Sequence, residues 1–119
     1  QIGALRKGLD FSLNKAVNKL QQAQMYVTID SVELNAARVD NEIAQQQALR
    51  QQKLFDEGLV SLTNLEQRKL KFQQTQAKYV SAANKYMASK NDLLNAEIEL
   101  RSVEAEYTDK ISKAESERN

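Results

Sequence analysis

Arg50, Leu54 and Ser61 are the residues of this chain whose types and spacing could carry recognition chemistry. Leu54 follows Arg50 by four residues, and Ser61 follows Leu54 by seven. On a helix, a spacing of four puts Arg50 and Leu54 on one face. The Arg50 guanidinium offers donors in a rigid fork, suited to carbonyls or carboxylates on a partner's helix-turn. Leu54 could fill a shallow pocket beside it. Ser61 could cap a helix and still donate its hydroxyl proton outward. Taken singly, each has a plain structural reading as a solvated charge, a seam residue and a cap. Catalysis has nothing to work with, because the chain has no His, no Cys and no glycine-rich phosphate loop. Its carboxylates stand at helical spacing from Lys and Arg, as surface pairs do. Zinc-ligand spacing is absent. The expectation is a chain that is not an enzyme, with no cofactor, no metal and no small-molecule substrate.

The elements that must position these residues meet at Gly58, the only glycine after Gly8. A glycine just past a helix end takes the left-handed conformation that other residues resist. Ser61 follows as a good N-cap. Thr63-Asn64-Leu65-Glu66 also fits a capping box, so either Ser61 or Thr63 could start the next helix. Leu59 and Val60 leave room only for a tight reversal.

On either side of that reversal runs a seven-residue register. In the first half Leu13, Leu20, Val27, Leu34, Asn41, Ala48 and Phe55 form one series, and Ala16, Ala23, Asp30, Ala37, Ala44 and Gln51 the other. In the second half Leu65, Phe72, Tyr79, Tyr86, Leu93, Leu100, Tyr107 and Ala114 repeat without a break. Their companions are Arg68, Thr75, Ala82, Ser89, Ala96, Val103 and Lys110. Heptads sustained this long imply a left-handed supercoil, with small residues letting the backbones approach. The spacing therefore predicts an all-α fold, a long antiparallel two-helix coiled-coil hairpin. The ascending helix runs from about Ala4 to Glu57, the turn over 58–61, and the descending helix over 62–117, a rod of about 80 Å. A start at Asp10 or Ser12 is the alternative for the first helix. Pairing about the tip sets Asn41 near Tyr79 and Asp30 near Lys90, two polar contacts expected to help set the register. The Tyr column at heptad spacing reads as seam packing rather than as a stacking platform for nucleic acid.

Bulk properties agree. There is no Pro and no Trp, and only 3 Gly occur. The 17 basic and 16 acidic residues leave a net charge of +1, no footprint for nucleic acid or an anionic membrane surface. No apolar run is long enough to span a bilayer. The chain opens QIGALRKG, without Met, and reads as a segment of a larger protein.

The Arg50, Leu54, Ser61 spacing resembles the R-x3-L-x6-S pattern at the hairpin tip of the periplasmic adaptor proteins, or membrane fusion proteins, of haemolysin secretion and multidrug efflux. LFDEGLVS, followed by a Leu-Glu pair, is similar to that family's turn. The chain departs from the commonest pattern in carrying Leu-Thr-Asn after the serine. The resemblance implies a hairpin that docks by its tip, through Arg50, Leu54 and Ser61 with Gly58 enabling the turn, to a TolC-type outer-membrane exit duct. It implies an inner-membrane transporter reached through further domains, neighbouring copies assembled as a hexamer, and a periplasmic place in a protein anchored to the inner membrane. Two other classes fit a hairpin: a generic structural coiled coil, and a coiled-coil arm that binds nucleic acid, against which the mixed charges argue.

Overall fold

A computed structural model of the chain describes residues 2–118. It holds α1, Ile2–Asp56, and α2, Leu62–Arg118, joined by the turn between them. The fold is the antiparallel all-α hairpin that the heptads require. α1 begins at Ile2, so the alternative start at Asp10 or Ser12 does not occur. Gly3 and Gly8 lie inside the helix, and the Ser12 hydroxyl donates back to the Gly8 carbonyl at 3.2 Å instead of capping.

The chain divides into two compact units. One contains the turn and runs from Ile29 to Met87; the other brings the residues up to Thr28 together with those from Ala88 on. In the turn unit the deepest residues are Asp30, Ala44, Ala48, Leu65 and Thr75. In the other they are Leu9, Ala16, Ala23, Ser89 and Ala96. Most belong to the small seam series, because the shortest side chains sit where two backbones come closest. The large series, from Leu13 to Val27 and from Phe72 to Tyr107, flanks that line and is half-buried. Two helices offer each other a single stripe, so large side chains keep one edge in water. Tyr79, Tyr86 and Tyr107 pack this way, as their spacing predicts. Arg68 and Lys110 leave the seam and are exposed, since long charged stems carry their heads to solvent.

Polar seam residues meet across the two helices, Asn41 with a partner one turn from the one expected. Asn41 accepts a hydrogen bond from the Thr75 hydroxyl at 3.2 Å, not from Tyr79. The buried Asp30 carboxylate meets Lys85 Nζ at 3.6 Å, and Lys85 also reaches Glu33 at 3.1 Å. The bond to Glu33, then the charges of Glu33 and Asp30, raise the Lys85 ammonium above its usual 10.5. In the other unit Arg6 pairs with Glu115 at 3.2 Å and Lys19 with Glu99 at 3.3 Å. Tyr107 donates to Asp10; that bond, burial and the Asp10 charge raise its hydroxyl above the usual 10.0.

Charge that is balanced over the whole chain is sorted within each unit. In the turn unit α2 carries Arg68, Lys69, Lys71, Lys78 and Lys85, with no acid from Gln67 to Met87. Opposite it, α1 carries Asp30, Glu33, Asp40 and Glu42 against Arg38 alone up to Leu49. In the other unit the signs reverse: α1 is mainly basic and α2 mainly acidic. The exposed pairs are each worth only about 0–1 kcal/mol, yet their sorting opposes any parallel arrangement of the helices.

Candidate partner-docking tip

α1 ends in a Schellman motif. Gly58 has φ 76°, the only positive φ among the described residues. Its N–H donates to the Phe55 carbonyl at 2.9 Å, and the Leu59 N–H donates to the Leu54 carbonyl at 2.9 Å. These are the two bonds that define the motif, with Gly58 as the left-handed residue past the helix end. Three residues later Ser61 opens α2. Its Oγ accepts from the Asn64 N–H at 3.1 Å, and its carbonyl accepts from the Leu65 N–H at 3.2 Å. Ser61 is therefore the N-cap, and Thr63 lies within the first turn of the helix. No capping box forms on Ser61, because the residue three on is Asn64 rather than Glu or Gln. Val60 and Leu65 occupy the two positions of a hydrophobic staple, and Leu65 is only 2% exposed.

The four residues singled out in the sequence thus gather at one reversal. Arg50 is exposed, and among the described residues its side chain makes no hydrogen bond or ion pair. Leu54 stands one turn further along the same face and is half-buried. Ser61 is exposed, and its hydroxyl proton is not used by the cap, in which the oxygen accepts. Leu54 has a second task that sequence reasoning missed: its carbonyl closes the α1 cap. The signal was present, because a left-handed Gly58 makes Leu59 the donor to the residue five before it. Leu59, in the reversal, and Leu62, the first residue of α2, join the four at the tip. They are 67% and 54% exposed and give the tip an apolar crown. A cationic fork, two exposed leucines and a hydroxyl can dock a partner's turn, with carbonyls for the arginine and apolar side chains for the crown.

Behind the crown lies a polar groove of about 500 Å³, lined by Gln47, Gln51, Asn64, Gln67, Arg68 and Lys71. Arg68, displaced from the seam, donates to the Gln47 amide oxygen at 3.1 Å. The Gln51 Oε1 is buried there without a hydrogen-bond partner. Among the described residues, no group of three or more His, Cys, Asp or Glu could hold a metal ion. None of the described helices is long and apolar enough to cross a membrane.

No protein-family model, no curated protein and no solved structure matches this chain.

Proposed function

We propose that the chain is the hairpin domain of a bacterial periplasmic adaptor, and that its tip docks to a TolC-type outer-membrane exit duct. The observation that carries this reading is the grouping of an unpaired Arg50, Leu54 and Ser61 around the Gly58 reversal, at the spacing of the adaptor tip pattern. On this reading the role is connective. The hairpin bridges inner-membrane transporter and duct, stands beside neighbouring copies as a hexamer, binds no cofactor and does no chemistry on the cargo. Arg50 supplies the directional contact, since its fork has no partner among the described residues. Leu54, Leu59 and Leu62 supply the apolar contact, and the Ser61 hydroxyl a further donor.

A photo-reactive residue at the exposed Leu59, in the parent bacterium, tests this. The expected result is a cross-link to an outer-membrane protein that disappears with Arg50→Asp while the level of the hairpin protein is unchanged. A product unaffected by the charge reversal would keep the adaptor and remove the arginine's role. No envelope partner at all, with the protein at native level, would refute the reading in favour of a generic structural coiled coil.

A further inference from the structure

Along one side of the turn unit the two helices leave a groove of about 530 Å³. Its floor is the half-buried Ala37 with the buried Ala44 and Thr75, and the exposed Ala36 and Ile43 form an apolar shoulder on α1. Glu33 and Asp40 edge it on α1, and Lys71 and Lys78 on α2. The groove lies where one rung of the ion pairs between the helices is left open. Lys85 closes its rung, meeting Glu33 at 3.1 Å. Seven residues nearer the turn on each helix stand Asp40 and Lys78, the equivalent positions of an antiparallel pair. The aspartate is one methylene shorter than the glutamate, and neither residue makes a hydrogen bond or ion pair among the described residues. Lys71 is unpaired in the same way.

We propose that this groove receives an amphipathic helix of a different protein, laid along the hairpin as a third helix. Three observations select this occupant. First, the period is seven throughout: Glu33 with Asp40, Ala37 with Ala44, Ala36 with Ile43 and Lys71 with Lys78. An occupant that matches all four pairs repeats by heptads, as a helix does, and sets a large side chain over each alanine. Second, the lining runs on α1 from Glu33 to Gln47. That is about 20 Å, or four turns of helix. Third, the two edges have opposite sign. A helix with acids along the flank facing Lys71 and Lys78, and bases along the flank facing Glu33 and Asp40, complements both. The turn unit of a second copy offers no such stripe. Its exposed α2 residues Leu70, Val80 and Met87 have no acid near them, since α2 carries none from Gln67 to Met87. Its exposed α1 residues Val32 and Val39 are bordered by the acids Glu33, Asp40 and Glu42. The proposal stands on the groove and is independent of what the tip meets.

Synthetic helical peptides of about three heptads test it, with leucine at one seam position and alanine at the other. One carries glutamate along one flank and lysine along the other. A second carries glutamate on both flanks, and a third lysine on both. Fluorescence anisotropy of each labelled peptide, titrated with the whole chain, reads the affinities. The mixed peptide should bind about tenfold tighter than either of the others. Asp40→Lys should close the gap between the mixed and the glutamate-flanked peptide; Asp40 has no partner among the described residues, so the hairpin's own pairs are kept. Glu104→Lys makes the same change of net charge in the other unit and should leave the gap as it was. Ile43→Gln should weaken all three peptides, because it removes the apolar shoulder. Equal affinities, or no binding at millimolar concentration, would overturn the proposal. A preference that survives Asp40→Lys would overturn it too, since the peptide would then lie elsewhere. Self-association of the hairpin that Asp40→Lys abolishes would overturn it in favour of a second copy in the groove.

Discussion

Gly58→Ala should destabilise the hairpin although nothing stands in the way of the added methyl. A Cβ at Gly58 would meet no atom within 4 Å. The whole cost is the alanine's own backbone at φ 76°. An L-residue in the left-handed region loses about 1–2 kcal/mol. The narrower unfolded ensemble of alanine offsets about 0.4–1 kcal/mol of that. A net loss of about 1 kcal/mol is expected. Gly8→Ala is the matched control. Gly8 also has nothing within 4 Å of its Cβ position, but it sits inside α1. There the same methyl should gain about 1 kcal/mol, the ordinary difference between glycine and alanine in a helix. Urea unfolding followed by far-ultraviolet circular dichroism reads both, and the two variants should fall on opposite sides of the parent chain. Gly58→Asn should lose less than Gly58→Ala, because asparagine tolerates the left-handed region better. A Gly58→Ala midpoint at or above that of the parent would refute the claim that the left-handed residue holds the reversal.

Three further outcomes are expected. Ser61→Ala should cost about 1 kcal/mol while Thr63→Ala costs only a few tenths, because only Ser61 caps α2; equal losses in urea midpoint would move the cap. Asn41→Leu should raise the urea midpoint by about 1–2 kcal/mol of seam burial. Thr75 keeps an acceptor in that variant, the Phe72 carbonyl at 2.9 Å, so no donor is stranded; a lower midpoint would mean that the Asn41–Thr75 bond outweighs the burial. Lys85 and Tyr107 both have folded-state pKa values raised above their usual 10.5 and 10.0. Their contributions are therefore fully present below those values and are lost as pH rises through the folded-state values. Thermal scans should show an alkaline loss of stability beginning near pH 10, smaller in Tyr107→Phe; an identical loss in that variant would remove Tyr107 from the account.

The heptads, the absence of proline and the placement of Gly58 and Ser61 made the two helices and their reversal legible in the sequence, because each is a local consequence of residue type and spacing. Seam membership was legible for the same reason, down to the small residues at closest approach, except at Arg68 and Lys110, whose charged heads leave the seam for solvent. Register was not. A strict seven-residue repeat looks the same after a slide of one heptad, so the choice falls to side chains that meet only across the hairpin. Asn41 finds Thr75, one helical turn from the partner expected by counting back from the turn, and Asp30 shares Lys85 with Glu33. The choice between Ser61 and Thr63 likewise waited on which oxygen reaches an N–H, and the Leu54 carbonyl entered the tip only once the Gly58 turn was formed. The sorting of acids onto α1 and bases onto α2 near the turn was present in the sequence. Which of them meet, as Lys85 meets Glu33 and Asp30, follows only from the antiparallel register, because that is what sets one helix beside the other.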